Sequence, residues 1–389
     1  MKKFSFTIFE LKEKHLYFSI IISFLIIAYY HLNSGFHMSP DSYKFSGWAD
    51  DLIKSNFNLY DFYFIEKSTN ERIPSFFFTV PILLTALCKA FFGNEWQYGF
   101  LLFNLALVFF SIVIFMKTLL IVRVRSFLIF LTLPLIVISV DLLTWPRYIL
   151  SDMSYVFLVV LAIYFMTKGF VKNKFNYFQI FLMIFLMLIT RPSSISVIFA
   201  IVFFIAISKY QFLLKPRKIL VFVFILFILV PLAFGLLYHY IELNFSANTQ
   251  LEWWLLSKVK VGMIIHDRPE TWVDSPRDFK DVVNIYFLRL VNFFNPYAEN
   301  FSIIHIVLNF LQTFIILLSI TIWSFFGGIT KYQDKLFCFI ILLSFSVAAF
   351  HSFTLIDYDW RYRFPIIIPL IMLFPISIEM ILKRSLKSN

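Results

Sequence analysis

Ser75-Phe-Phe-Phe-Thr-Val-Pro-Ile-Leu-Leu-Thr-Ala-Leu-Cys-Lys-Ala-Phe-Phe92 is apolar enough to pass for a membrane helix, and whether it crosses sets the side of everything after it. Pro81 sits in its middle and Lys89 near its end, two residues that a lipid-facing crossing tolerates poorly. Basic residues decide the matter, because short loops rich in Lys and Arg stay in the cytoplasm. The clusters are Lys2, Lys3, Lys12 and Lys14; Arg123 and Arg125; Lys168, Lys172 and Lys174; Lys209, Lys215, Arg217 and Lys218; Lys331 and Lys335; and Lys383, Arg384 and Lys387. If 75–92 does not cross, alternation puts all six clusters in the cytoplasm. If it does, every later cluster moves outside. The stretch is therefore expected to be re-entrant or to lie along the outer surface.

Outward from it, ten apolar runs approach the ~20 residues that a spanning helix needs: 16–32, 97–120, 126–140, 149–167, 176–190, 192–208, 219–241, 302–326, 335–356 and 362–382. Ten crossings leave both termini in the cytoplasm. Of the 389 residues 60% are hydrophobic and only 15% charged, whereas soluble domains carry about 25% charged residues. A soluble protein is excluded. The expected fold is an all-α integral membrane protein, one polytopic domain over 1–389, with about ten transmembrane helices plus one re-entrant or interfacial helix. The net charge of +11 belongs to cytoplasmic loops rather than to nucleic-acid binding. Cys88 and Cys338 lie in apolar segments without metal-ligand spacing, and no disulfide framework is implied. The basic start has no small-residue cleavage site after its apolar run, so the first helix reads as uncleaved.

The same alternation gathers the polar sequence on the opposite face: 33–74, 141–152, Thr190-Arg191-Pro192, 242–301 and 357–363. Loops of this length are usually functional. In the first, Asp41-Ser-Tyr43 leads into an amphipathic turn, with Tyr43, Gly47, Asp50 and Asp51 on its wet side and Phe45, Trp48, Leu52 and Ile53 toward the interface. On spacing alone, a solvated loop with an interfacial helix is the simpler account of that pattern.

Asp41-x-Tyr43 followed by Ala49-x-x-Leu52 resembles the first extracytoplasmic loop of polytopic glycosyltransferases of the C-type (GT-C) fold. Arg72-Ile-Pro74, Pro81-Ile-Leu-Leu-Thr-Ala-Leu and Phe92-Gly93 resemble that family's Pro-rich segment and the apolar stretch after it, although the paired proline is here Ile73-Pro74. Trp145-Pro-Arg-Tyr-Ile-Leu-Ser-Asp152, Thr190-Arg191-Pro192 and Arg361-Tyr-Arg363-Phe-Pro365 resemble later elements in the same order. The resemblance implies transfer of a sugar from a polyprenyl-phosphate donor to a glycan, lipid or protein acceptor, commonly with inversion. The site would lie on the extracytoplasmic face of the plasma (inner) membrane.

That chemistry needs a base, because an acceptor hydroxyl is a poor nucleophile until a carboxylate takes its proton. Asp41 is the candidate base. Asp152 is the second acid, orienting the acceptor or, with Asp41, holding a divalent cation such as Mg or Mn. The lipid-phosphate leaving group needs fixed cations, for which the planar guanidinium is suited. Arg361 and Arg363 are the candidate phosphate clamp, with Arg191, Arg147 and Tyr43 as further substrate-binding residues. Each has a plainer reading: Asp152 as a helix N-cap, and Arg361 and Arg363 as an ion-pair cluster with Asp357 and Asp359. Arg191, between two apolar runs, is the hardest to explain without a partner or a function. The adjacent Trp253 and Trp254 read as interfacial anchors more readily than as a sugar platform. The histidines show no ligand spacing, and nine glycines include no phosphate-cradling loop. A transporter of lipid-linked glycans would place its ionisable groups at the bilayer midplane, whereas these lie at helix ends. A glycan polymerase would share donor and site.

Overall fold

The computed structural model describes residues 13–65, 75–208, 216–244, 256–266, 268–297, 299, 301–328, 331–354 and 361–387. Arg72, Pro74, Trp253, Trp254, Asp267, Asp357 and Asp359 lie outside them. Among the described residues the chain is all-helical, without strands. The helices are α1 Glu13–Ser34, α2 Pro40–Lys54, α3 Thr79–Phe92, α4 Trp96–Ile121, α5 Ser126–Val137, α6 Val140–Thr144, α7 Asp152–Val171, α8 Tyr177–Leu188, α9 Ser194–Ser208, α10 Pro216–Asn244, α11 Phe279–Asn292, α12 Ile303–Phe326, α13 Lys331–Thr354 and α14 Phe364–Lys387.

Seven helices are long and apolar enough to cross a membrane. The protein is therefore an all-α, multi-pass membrane protein. The bent pair α5–α6, which turns by 53°, gives an eighth candidate if it counts as one span. The ten expected crossings are not all of that length. The helices α5 and α8 have 12 residues and α9 has 15, roughly 18 to 22 Å against a hydrocarbon core of about 30 Å.

Helices α7, α13 and α14 form the centre of the bundle and are largely buried, whereas α10 and α12 stand at its periphery. Phe224 and Leu236 on α10, and Ile303, Phe314 and Leu317 on α12, are each more than half exposed. Water would penalise such rows heavily, whereas lipid is the solvent they fit.

The stretch 75–92 does not continue into α4. Gly93 adopts φ +54°, a left-handed conformation that glycine takes without a Cβ penalty. The Phe92 ring then lies so close to Gly99 that a Cβ there would collide with it. Seven residues rise about 10 Å along a straight helix, so this contact requires α3 to bend back on α4. Both ends of α3 are tied to α2. Phe78, just before it, packs on Phe45 at 5.3 Å, and Lys89 near its end donates to Asp50 at 2.6 Å and to the Ser46 carbonyl at 3.0 Å.

Away from α2, a second polar group locks the far end of the bundle. The buried Glu379 of α14 pairs with Arg125 at 3.2 Å and accepts its backbone N–H at 3.1 Å. Glu379 lies 16 residues beyond Arg363, roughly 24 Å along the helix. The long segment before α12 is fastened by Arg289, wholly buried, which donates from Nε and Nη2 to the Met263 carbonyl at 2.9 and 2.7 Å and from Nη1 to that of Ser352 at 3.4 Å. Burial pushes its pKa down to about 10, with Tyr286 opposing the shift. Arg289→Met should lower the melting temperature markedly in detergent, because each carbonyl left without a donor costs about 1–3 kcal/mol. An unchanged melting temperature would mean that α11 is not held by this side chain.

Candidate functional site

Two backbone hydrogen bonds bring the first loop to the segment before α7: His37 N–H donates to Arg147 O at 2.9 Å, and Ile149 N–H donates to His37 O at 3.2 Å. Asn104 of α4 holds the same segment from the other side, donating to the carbonyls of Pro146 at 2.9 Å and Tyr148 at 3.2 Å. Each strand of this connection leads straight into a helix that begins with an acid.

For α2 the local sequence fixes the start. Ser39 and Ser42 form a reciprocal capping box, and Pro40 stands at the first helical position, where its missing N–H costs nothing. Asp41 therefore sits in the first turn, near the positive end of the helix dipole. Phe45, Ala49 and Leu52, on the same side of the helix as Asp41, are buried, opposite the wet face that carries Tyr43. In α7, Ser151 is the cap residue and Asp152 the first helical residue. The plain N-cap role for Asp152 is thus replaced by another: both of its oxygens go to arginines.

Arg191 Nη1 donates to Asp152 Oδ1, and Arg361 Nε donates to Asp152 Oδ2 at 2.8 Å. Arg361 Nη1 also donates to Asp41 Oδ2 at 3.1 Å. One guanidinium thus joins two carboxylates that lie 111 positions apart in sequence, counted from their numbers. The two acids differ in setting. The Asp152 side chain is 1% exposed and that of Asp41 is 43% exposed. Lys44, on the surface, stands 3.9 Å from Asp41 Oδ1. Arg191 further lies over the ring of Tyr362 at 5.1 Å, and His351 stacks on that ring at 4.1 Å, which fixes the short turn carrying Arg361.

Arg363 leaves the turn in a different direction. It donates to Asn295 O at 3.2 Å, and the buried Asp141 is its acidic neighbour. It also lines a cavity of about 310 Å³ walled by α10, α12, α13 and α14, among them Phe227, Thr313, Ile316, Leu317, Ile320, Phe345 and Ile367. The cavity is overwhelmingly apolar. Its polar groups include Asn309 and Ser344, whose buried Nδ2 and Oγ have no hydrogen-bond partner among the described residues.

Asp41, Asp152, Arg191 and Arg361 are thus assembled as one cluster, with Arg363 beside it. Tyr43 lies on the exposed face of α2, apart from the cluster. Arg147 is also apart, its guanidinium 5.7 Å from the Tyr148 ring. Asp141, His351, Tyr362, Asn309 and Ser344 received no role from the sequence. Asp141 had a signal, being a lone acid between two apolar runs, but the uncharged ones had none.

A divalent cation fits this arrangement poorly. Both Asp152 oxygens are engaged by guanidiniums, which would oppose a dication at the same place. Among the described residues no three His, Cys, Asp or Glu side chains converge as a metal site. No step below is routed through a metal.

No protein-family model, curated protein or solved structure matches the chain.

Asp152→Asn preserves shape but leaves the buried Arg191 facing a neutral amide. It should destabilise the protein by about 3–5 kcal/mol, whereas Asp41→Asn, at a partly exposed position, should cost no more than about 1 kcal/mol. Melting of the purified variants in detergent measures both, and equal melting temperatures would contradict the assignment of Asp152 as the cluster's anchor.

Proposed function

We propose that this protein transfers a sugar from a polyprenyl-phosphate donor to an acceptor hydroxyl at the extracytoplasmic face of the plasma (inner) membrane, as a glycosyltransferase of the C-type fold. The observation that carries this reading is the Asp41–Arg361–Asp152–Arg191 cluster, together with Arg363, two residues after Arg361, on the wall of an apolar cavity. A lipid phosphate needs those two environments side by side: hydrocarbon for the chain and fixed guanidiniums for the head. The cavity is bounded by α10 and α12, the helices with the most lipid-facing surface, so a chain enters sideways from the bilayer.

The acceptor approaches from the water side, where Asp41 is accessible. Its oxygen attacks the anomeric carbon, and its proton passes to Asp41. The carbon–oxygen bond to phosphate breaks, its electron pair staying with the phosphate, whose charge the arginines stabilise. Attack from the face opposite the leaving group inverts the anomeric centre. Asp152 takes no proton in this scheme; it positions Arg361 and Arg191.

The topology that supports this reading has ten traverses and both termini in the cytoplasm, with α5, α8 and α9 as short or broken crossings. Helix α3, fastened to α2 at both ends, stays on the outer side. Glycan polymerisation would use the same donor and chemistry. A transporter of lipid-linked glycans would move its cargo without breaking the sugar–phosphate bond.

The test is to incubate purified protein with a panel of polyprenyl-phosphate sugars and acceptors and to count released polyprenyl phosphate. Release by the wild type should fall at least about a hundredfold in Asp41→Asn, the loss expected for a general base. Equal release by both would remove Asp41 from the mechanism, and no release with intact lipid movement would favour the transporter. Ile320→Trp, which fills the cavity without touching the ion pairs, should raise KM for the lipid donor about tenfold, equivalent to about 1.4 kcal/mol of binding, and leave kcat nearly unchanged. An unaltered KM would place the lipid chain elsewhere.

A further inference from the structure

Arg361 is already occupied by two carboxylates, yet the proposed reaction asks it to receive a phosphate. The two carboxylates do not hold it equally. Asp152 is almost wholly buried at a helix start and is held a second time by Arg191. Releasing it would leave a bare charge inside the protein, a change that costs several kcal/mol. Asp41 is 43% exposed on its side chain and reaches Arg361 through one hydrogen bond at 3.1 Å. Water solvates it as soon as it turns outward.

Charge balance points the same way. The two acids and the two arginines named here balance, with Lys44 at the solvent edge beside Asp41. A lipid phosphate arriving from the cavity beside Arg363 adds negative charge, and the least costly response is to send the most exposed carboxylate into solvent. Only the Asp41 side chain has to turn, because α2 is anchored underneath by Phe45, Ala49 and Leu52.

We propose that Arg361 is handed from Asp41 to the lipid phosphate, so that donor binding releases the carboxylate that accepts the acceptor's proton. The exchange is of ion pairs alone, one carboxylate–guanidinium contact for one phosphate–guanidinium contact, with no covalent change. It deepens the transferase reading, on which Asp41's role as base rests, by making the donor bind first. In the donor-free protein Asp41 is a tether holding α2 to the bundle.

The test labels carboxylates in the full-length protein in a phosphate-free detergent, using a water-soluble carbodiimide with an amine and quantifying each site by mass spectrometry. The probes are polyprenyl phosphate, the matching polyprenol and inorganic phosphate. Polyprenyl phosphate should raise labelling of Asp41 several-fold while Asp152 stays protected, and polyprenol should leave both unchanged. A rise with inorganic phosphate as well would show that the head alone drives the exchange, which also upholds it. Labelling of Asp41 that stays constant or falls with polyprenyl phosphate overturns the proposal. Arg361→Lys should start with higher Asp41 labelling and respond less, since an ammonium lacks the fork that serves two carboxylates. An Asp41 response without sugar transfer from any donor would keep the exchange and remove the transferase reading. Transfer with no Asp41 response would do the reverse.

Discussion

A carboxylate almost wholly inside the protein, Asp152, binds two guanidiniums at once, and one end of the bundle is arranged around that requirement. A buried charge persists only with close, hydrogen-bonded partners. The partners come from widely separated parts of the chain, Arg191 from the turn between α8 and α9 and Arg361 from the turn before α14. Satisfying Asp152 therefore fixes where three helix ends meet. Through Arg361 the constraint extends to Asp41 and so to α2, and through the Phe45 and Lys89 contacts it reaches α3.

Such an arrangement divides the molecule into a rigid interior and an adaptable margin. Tyr362 lies between Arg191 and His351, so the turn bearing Arg361 and Arg363 has little freedom. Glu379 and Arg125 hold α14 to α5 far from the site. Movement is left to exposed side chains, among them Asp41 and its neighbour Lys44. Preorganised guanidiniums that need no rearrangement when charge develops are what electrostatic catalysis requires.

Much of this was legible in the sequence because membrane topology sorts residues by side. The basic clusters set an expected topology in which Asp41, Asp152, Arg191 and Arg361 share one face, and the structure brings these four side chains together. What could not be read was pairing in detail. Tyr43 looked like a companion of Asp41, but two residues on an α-helix turn about 200°, which carries it to the exposed face. Asp141 has no sequence neighbour that announces Arg363. Asn309, Ser344 and His351 sit within apolar runs, where one uncharged polar residue carries no sign of what it faces. The runs 126–140 and 176–190 are already short in the sequence and fold as the 12-residue α5 and α8, whereas the length of α9 escaped because apolarity runs on through its ends while the backbone turns.

The most direct test of the whole account is to determine the structure by electron cryomicroscopy with polyprenyl phosphate bound. Phosphate density is expected against Arg361 and Arg363 with the lipid chain in the cavity bounded by α10, α12, α13 and α14, and Asp41 turned away from Arg361. A phosphate bound elsewhere, with the cavity empty and the Asp41–Arg361 pair intact, would contradict it.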